Sequence, residues 1–467
     1  MVKTVLKTAA TAAATCTALA ATFAMTPFAA AGDHPHKSKA PRADSPAAAK
    51  QASSDTPAES YAAYTLIHAG TVLAVPGKAP LNEQTIIIKD GIIIDVVSDY
   101  IQDDEATIID LKDSFVLPGL IDSHVHLSHQ WNPNVRLDGV TKEAGDVAFD
   151  AAFYAKKTLM AGFTAVQDVG GPKEIFALRR AINAGKVAGP HIRASGHAVS
   201  ITGGHGDRHG YREDILHMMT PKTVCNGADD CRRATRAAVK AGADVIKITA
   251  TGGVLSNTNA GTAQQFFEDE LDAIVQSAAK MGRKVTAHAH GKDGIDAALK
   301  AGVKSIEHGT YLDTETTRLF IKNGATLVPT VLAGMTVVDW AKNKNFLPPN
   351  SAKKALEVGP QMQDMLRTAH KNGVNIAFGT DSGVSVHGDN AQEFQYMIAA
   401  GMSTQEAITS ATSIAAKHIE MSDKIGTLEA DKFADLIAVD GDPLRDINEL
   451  LDVDFVMKGG IVYKGAR

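Results

Sequence analysis

The chain has 467 residues, of which 44% are hydrophobic and 21% are charged, and its formal net charge is −6 at neutral pH. This composition is ordinary for a soluble globular protein, and the length allows two or three structural units. The negative balance argues against a basic face for nucleic acid or anionic lipid. With 40 glycines and only 5% aromatic residues, an α/β enzyme with many strand-to-helix turns is favoured over an all-β sandwich.

The first 31 residues have the pattern of a signal peptide. Lys3 and Lys7 precede an apolar, alanine-rich stretch, and the small residues 29–31 before Gly32 resemble a cleavage site. A disordered leader rich in alanine and threonine is the alternative. The signal-peptide interpretation predicts export to the periplasm or the exterior. No later run approaches the roughly 18 apolar residues that a membrane span needs, so no membrane partner is expected.

Residues 32–60 consist largely of alanine, proline, serine, lysine and aspartate, with almost no large apolar side chains. Such a segment cannot bury enough apolar surface to order itself. We therefore predict a disordered linker between the signal peptide and the folded part of the chain.

Behind the leader the chain contains only two cysteines, Cys225 and Cys231. In an oxidising compartment, two cysteines this close in sequence can pair and staple the short turn between them. Two free thiols are the alternative. Either way, we assign these cysteines to structure and not to catalysis.

Short β-branched runs separated by turn residues lie at both ends of the folded part, in residues 61–117 and 426–467. Neither end is large enough for a comfortable core of its own. We therefore predict that the two segments pack together as one small, composite β-sandwich domain, interrupted in sequence by everything between them.

Residues 118–425 alternate strand-like runs with helical patterns, for example 174–184, 231–241, 268–281 and 293–301, which is typical of βα units. Gly242, Gly282, Gly302 and Gly373 follow such helices where a left-handed residue would close them. Eight units in this length predict a (β/α)8 TIM-like barrel. An open doubly wound sheet is the alternative, but no glycine-rich phosphate fingerprint follows the first strand. The predicted strands are 120–126, 164–169, 191–195, 244–250, 284–288, 304–308, 326–331 and 375–381.

Five of these strands carry a potential metal ligand at or near their carboxyl ends, where barrel enzymes place their function. Any one of these residues, taken alone, is better explained as a polar group of the core with its hydrogen bonds satisfied. Together, five agreeing strand ends predict a site for transition-metal ions such as zinc. The residues, in strand order, are His124 and His126, Lys247, His288 and His290, His308, and Asp381.

Lys247 lies between Ile246 and Ile248, where a buried cation would be costly. Burial lowers the pKa of such an amine and leaves it neutral and open to chemical modification. The alternative is a lysine paired with Asp381 or Asp168. At a site with four histidines, however, a cationic ammonium would repel divalent metals.

The ligand set His124-X-His126, Lys247, His288, His308 and Asp381, inside such a barrel, resembles the amidohydrolase superfamily over nearly the whole mature chain. Within it, the glycine-rich residues 251–253 after the lysine strand and the run 288–291 resemble the Xaa-Pro dipeptidase (prolidase) and ochratoxinase-like branch.

The resemblance implies a binuclear centre of two divalent metal ions, with zinc as the expected metal. Carboxylated Lys247 would bridge the ions, His124, His126 and Asp381 would hold one, and His288 and His308 would hold the other. His290 would lie near the substrate instead. The assignments of His288 and His290 would be exchanged if the strand register slips.

The implied reaction is cleavage of an amide bond in N-acyl amino acids or dipeptides, including ochratoxin-type amides, by a metal-bridged hydroxide. Asp381 would take the proton and later deliver it to the leaving amine, with His290 as the second candidate catalytic residue.

The candidate substrate-binding residues are His205, His290, His197 and Tyr211. The histidines at 197, 205, 209 and 387 lie in predicted loops, and each alone is better explained as a surface residue. Glycines on both sides single out His205. Tyr211 with Arg208 or Arg212 could hold a substrate carboxylate, or it could belong to a solvated loop.

Three other functions compete with this one. An imidazolonepropionase-like or deaminase member of the superfamily typically lacks the lysine and has an acid where this chain has His290. A lactonase or phosphotriesterase would use the same metals. A non-catalytic scaffold is disfavoured because no ligand is missing. A small-molecule or dipeptide substrate and a homo-oligomer are the expected partners.

Overall fold

The computed structural model describes residues 64–256, 261–342 and 346–465. The predicted signal peptide and linker lie outside these residues, so both stay predictions, as does export. Residues 64–100 and the described residues from 107 onward belong to one compact unit. Within the described part of the chain, no helix has the length and apolar character required to cross a membrane.

Strands and helices alternate through most of this unit, as the sequence predicts. The strands are β1 (Thr65–Val72), β2 (Leu81–Lys89), β3 (Ile92–Ser98), β4 (Thr107–Pro118), β5 (Leu120–Val125), β6 (Phe163–Asp168), β7 (His191–Ala194), β8 (Ser200–Ile201), β9 (Val224–Cys225), β10 (Ile246–Thr249), β11 (Val285–Ala289), β12 (Ser305–His308), β13 (Thr326–Val328), β14 (Asn375–Ile376), β15 (Leu436–Val439), β16 (Phe455–Lys458) and β17 (Ile461–Lys464).

In the described part of the chain, the helices begin after β5 and lie mainly between successive parallel strands. They are α1 (Val135–Thr141), α2 (Ala144–Met160), α3 (Glu174–Asn183), α4 (Glu213–Met219), α5 (Ala228–Ala241), α6 (Glu268–Lys280), α7 (Lys292–Ala301), α8 (Thr314–Asn323), α9 (Val331–Lys342), α10 (Pro349–Lys371), α11 (Glu393–Ala399), α12 (Thr404–Thr409) and α13 (Ala415–His418).

The eight predicted barrel strands correspond to β5, β6, β7 and β10 to β14, and all of their pairings are parallel. They form a three-stranded sheet, β5-β6-β7, and a five-stranded sheet, β10 to β14. Between the sheets, the backbone amide of Ser123 donates to Phe378 O at 2.9 Å, and that of Val199 donates to Lys247 O at 2.8 Å. The α/β architecture is therefore as predicted, whereas the ladder of strands is not closed.

Two strands end three or more residues before their predicted ends. β13 ends at Val328 instead of 331, and β14 ends at Ile376 instead of 381. Thr330 and Asp381 have φ angles of 52° and 57°. A left-handed residue cannot continue a β-strand, so β13 ends before Thr330 and β14 cannot extend as far as Asp381.

The helix ends agree more closely with the sequence. The four glycines expected to close helices have φ angles of 119° (Gly242), 66° (Gly282), 100° (Gly302) and 75° (Gly373). A residue without Cβ adopts this conformation without steric cost, so each prediction is confirmed. The apolar faces of these helices cover the strands, whose residues are buried on both sides as is usual for parallel sheets.

The two ends of the described chain meet in one seven-stranded sheet of order β17-β16-β15-β4-β1-β2-β3. The junction is the antiparallel pair β4–β15, in which Val439 lies opposite Phe115. The strands near the two ends of the chain thus associate, as predicted, and they do so within one sheet. Its division into a separate β-sandwich domain, with the boundaries given above, stays a prediction.

Cys225 and Cys231 form a disulfide, with their Cα atoms 5.0 Å apart. The bond joins the end of β9 to the first turn of α5, and both cysteines are buried. The predicted pairing is confirmed, and the free-thiol alternative is wrong for this structure.

Candidate metal centre and active site

Three candidate ligands from β5 and the segment after β14 form a first group. The ligand atoms of His124, His126 and Asp381 lie within 4.8 Å of one another. Asp381 Oδ1 is 3.0 Å from His126 Nε2 and 3.4 Å from His124 Nε2. His124 and His126 lie two residues apart along an extended segment, which directs both side chains to the same face.

His288, His290 and His308, at the ends of β11 and β12, form a second group, and their ligand atoms also lie within 4.8 Å of one another. The ring of His308 is 4.6 Å from that of His288 and 4.9 Å from that of His290. It is also 5.2 Å from the ring of His124 in the first group. His290 therefore lies among the ligand candidates, and its separate role near the substrate stays a prediction.

Several residues at the strand ends have a left-handed backbone conformation, which sets the direction of their side chains. His308 has a φ angle of 73°, and Asp381 and Thr330 have φ angles of 57° and 52°. Each costs about 1–3 kcal/mol for a residue other than glycine, and such strain is typical of functional sites. Thr330 donates its hydroxyl proton to Pro329 O, so its oxygen accepts from His308 Nδ1 at 2.7 Å.

Hydrogen bonds to the outer ring nitrogens fix the tautomers of the first group. His124 Nδ1 donates to Glu307 Oε2 at 2.7 Å, and His126 Nδ1 donates to Gly170 O at 2.7 Å. A carboxylate and a carbonyl only accept, so both protons are on Nδ1. The Nε2 lone pairs are left to face Asp381, which is the arrangement of metal-binding histidines.

The buried Oδ1 of Asp381 has no hydrogen-bond partner among the described residues. With both imidazole protons on Nδ1, this oxygen and the Nε2 atoms of His124 and His126 are acceptors that face one another. Only a cation can reconcile three acceptors at these distances, either an added proton or a metal ion. The donor set therefore fits a divalent metal ion.

The pKa shifts at this spot show the same preference for positive charge. Burial lowers the pKa of His126, but contact with the carboxylate of Asp381 raises it further, and the net shift is upward. Burial raises the pKa of Asp381, but the neighbouring histidines lower it more, and the net shift is downward. The lowered pKa of Asp381 favours the carboxylate that a metal ligand requires, whereas a metal-bound His126 is neutral, so a metal ion would take the place of the proton that the raised pKa of His126 favours.

Lys247 on β10 is 4% exposed, and its side-chain amine forms no ion pair or hydrogen bond with any described residue. Burial lowers the pKa of its amine, partly opposed by the carboxylates of Glu307 and Asp381. Its positive charge would lower the pKa values of His124, His288 and His308, so it acts on both ligand groups. The amine is thus close enough to both ligand groups to influence them electrostatically, and its role as a bridging ligand stays a prediction.

A cavity of about 470 Å³ opens above the two groups. Its lining includes the predicted substrate-binding residues His205, His197 and His290. Burial lowers the pKa of His205 to about 3 and that of His197 to about 4, so both are neutral at pH 7. The His205 ring also stacks on that of His288 at 4.1 Å.

Tyr211 is not part of the cavity lining. Its hydroxyl donates to Arg136 O at 2.6 Å. Arg212 pairs with Asp214 at the surface, whereas Arg208 lines the cavity. Of the arginines considered for a substrate carboxylate, the structure brings only Arg208 to the site, and the substrate-binding role of Tyr211 stays a prediction.

The other two loop histidines make backbone contacts. The ring of His209 contacts Gly204 O at 2.8 Å, and the ring of His387 contacts His129 O at 2.9 Å. Neither residue is among those that line the cavity.

Sequence reasoning missed the carboxylates behind the ligands. Glu307 holds His124, and Asp122 accepts hydrogen bonds from the backbone amides of His124 and Thr380 and from the side chain of Asn390. Burial raises the pKa of Asp122 to about 6. The detectable signal was an acidic residue in a buried strand, within two residues of a candidate ligand.

One wall of the cavity is apolar. It is formed by aliphatic side chains from the segments after β10 and β14 and from α9 and α10, and by one aromatic ring. These residues are Val254, Leu255, Ala333, Val337, Val358, Met362, Val384 and Trp131.

Comparison with known proteins agrees with this architecture. Residues 115–462 match the family model described as "Amidohydrolase family". Ochratoxinase from Aspergillus niger is 33% identical over 430 residues, covering 86% of this chain and 87% of the relative.

Two solved structures extend the comparison. A Xaa-Pro dipeptidase with methionine bound in its active site is 43% identical, with a TM-score of 0.82, covering 86% of this chain and all of that one. A prolidase complexed with N-methylphosphonate-L-proline is 31% identical, with a TM-score of 0.78, covering 86% and 99% of the two chains. Since the matched region contains every candidate ligand, this chain belongs to the amidohydrolase family, with relatives in its Xaa-Pro dipeptidase (prolidase) and ochratoxinase-like branch.

Proposed function

We propose that the protein is a metal-dependent amide hydrolase that cleaves N-acyl amino acids or dipeptides, in the manner of a Xaa-Pro dipeptidase or on an ochratoxin-type amide. The observation that carries the proposal is the meeting of two three-residue ligand groups beside a buried, unpaired lysine amine. Family membership supports hydrolysis of an amide bond. The ligands in the two related structures, methionine and a prolyl phosphonate, support an amino acid as one product.

The cofactor proposal is two divalent ions, with zinc favoured by the imidazole and carboxylate donors. His124, His126 and Asp381 would hold one ion, and His288 and His308 would hold the other. Lys247, carboxylated by carbon dioxide, would bridge them. When bound, such a pair would lower the pKa of a water molecule and polarise the scissile carbonyl.

The chain's own residues would handle the proton and the substrate. Asp381 is a carboxylate at neutral pH because its pKa is lowered, so it can accept a proton from water and return it to the leaving amine. Neutral His205 and His290 would donate hydrogen bonds to the oxyanion, which they can do without adding charge beside the metals.

Two opposite features of the cavity lining, a cationic side chain and an apolar wall, would orient the substrate. The guanidinium of Arg208 forms no ion pair with the residues that the structure describes, so it is available for a substrate carboxylate. The apolar wall defined above would take an aliphatic or aromatic acyl group.

The fold proposal is that the eight strand–helix units close as a (β/α)8 barrel. The hydrogen bonds between Ser123 and Phe378 and between Val199 and Lys247 support closure at the two interruptions of the ladder. A closed barrel would place all ligand-bearing strand ends around one mouth.

The test is a hydrolysis screen of the purified protein, with N-acyl amino acids, Xaa-Pro dipeptides, lactones and phosphotriesters as parallel substrates. We expect amides with a free carboxylate and an apolar acyl group to be cleaved fastest, and the activity to disappear with a chelator. An esterified substrate carboxylate serves as the matched control and should raise KM. Turnover confined to lactones or phosphotriesters would contradict the proposal.

A further inference from the structure

A buried lysine outside the metal centre has no role in the chemistry proposed above. Lys354 on α10 is 8% exposed. Its Nζ donates to Gly253 O and to Ser256 O, both at 2.7 Å. These carbonyls belong to a segment that follows β10, 101 and 98 residues away in sequence. An ammonium in such a place is expensive to desolvate, and the two carbonyls compensate for that cost.

The segment that Lys354 holds, residues 253–256, lies against the active site. The hydroxyl of Ser256 is hydrogen bonded to Nδ1 of His205. A Cβ on Gly253 would lie 2.3 Å from the His205 ring, so the ring packs directly on bare backbone. Val254 and Leu255 of the same segment contribute to the apolar wall of the cavity.

His205 itself reaches the metal centre. Its ring stacks on that of His288 at 4.1 Å, and its backbone amide donates to the side chain of Gln265 at 2.9 Å. Its ring therefore has three supports, which are Ser256, the backbone of Gly253 and the face of His288. Two of the three belong to the segment that Lys354 holds.

We propose that Lys354 is a positioning residue, which clamps residues 253–256 to α10 so that Ser256 and Gly253 hold His205 in place over the metal centre. Its effect on turnover rests on the proposed function, whereas its effect on the segment does not. The hydrogen bonds of the Lys354 amine go to the backbone of residues 253–256 and not to a candidate metal ligand. It acts through His205.

The experiment compares Lys354→Met, which keeps the aliphatic stem, with Lys353→Met on the same helix. Lys353 is 78% exposed, and its ion pair with Glu357, at 4.0 Å, is the only one it forms with a described residue, so it is a matched control. Hydrogen exchange of amides in residues 252–256 should accelerate about tenfold or more in Lys354→Met and stay unchanged in Lys353→Met, because the segment opens more often once the carbonyls of Gly253 and Ser256 lose their charged donor. Lys354→Arg should restore part of the protection. Unchanged exchange in Lys354→Met would overturn the proposal.

A double-mutant cycle then tests whether Lys354 acts through His205. We expect Lys354→Met and His205→Ala each to lower kcat about tenfold or more, and the double variant to be no slower than His205→Ala alone. If the kcat of the double variant fell by the product of the two single losses, the two residues would act independently and the proposed action through His205 would be wrong. If Lys354→Met does not fold, Ser256→Ala, which cuts only the link to His205, replaces it in the same cycle. A wild-type protein that cleaves no amide would refute the proposed function, while the exchange measurement still tests the clamp.

Discussion

Replacing Lys247 by alanine is expected to lower kcat/KM for amide hydrolysis on the order of a thousandfold or more, and to reduce the bound metal from two ions per chain to one or none. The reason is charge. A carboxylated Lys247 would carry the negative charge that keeps two cations together beside four or five neutral imidazoles. Without it, the described residues leave Asp381 as the one carboxylate in the two ligand groups.

Two further experiments distinguish the loss of a bridging carboxylate from a general destabilisation of the protein core. Lys247→Glu returns a carboxylate and should retain more metal than Lys247→Ala, and short carboxylic acids such as propionate should partly rescue the alanine variant. Lys304→Ala is the control, since this exposed lysine lies at the opposite end of the neighbouring strands. If Lys247→Ala kept wild-type activity and two metal ions, the bridging role would be wrong.

Asp381→Asn should lower kcat about a hundredfold to ten-thousandfold, the range that general acid–base catalysis contributes. Asparagine keeps an oxygen near the metal site but cannot carry the proton from water to the leaving amine. The loss should therefore be largest for substrates whose leaving group is an alkylamine, which departs only when protonated. It should be much smaller for p-nitroanilides, whose leaving group needs less help.

Steady-state kinetics on an alkylamide and an anilide of the same acyl group measure this difference. Metal content of Asp381→Asn serves as the control, because a variant that has lost one ion would be slow on both substrates. Equal losses on the two substrates with both ions retained would show that Asp381 is a ligand only.

Most of the fold could be predicted because its signals are local. Each predicted barrel strand is an apolar run between turn residues, and each matches an observed strand at its start within two residues. Predictions of helix bounds such as 231–241 miss the observed Ala228–Ala241 by only three residues. The ends of β13 and β14 were harder to predict, since nothing in the local sequence pattern indicates a left-handed threonine or aspartate.

The candidate ligands were predictable for a related reason, which is that parallel strands bring their carboxyl ends to one edge. What the sequence could not provide were partners distant in the chain. Glu307 and His124 are 183 residues apart, and Lys354 and Gly253 are 101 apart. No periodicity connects such pairs, so the outer hydrogen bonds that fix the imidazoles became visible only in three dimensions.

The substrate-binding residues were even harder to predict from the sequence than the outer hydrogen bonds. Tyr211 was predicted to lie near the substrate from its neighbours Arg208 and Arg212, but its hydroxyl is bound to Arg136 O. Loop residues are placed by tertiary contacts and not by a repeating pattern, so composition alone could not distinguish Arg208, which lines the cavity, from Arg212, which pairs with Asp214.

The most direct test of a binuclear metal hydrolase is to measure metal content and amidase activity on the same protein samples. Inductively coupled plasma mass spectrometry during stepwise chelation should give two divalent ions per active chain, with activity falling as the ions are removed and returning when zinc is restored. A purified protein that hydrolyses amides at its full rate with far less than one ion per chain would contradict the account.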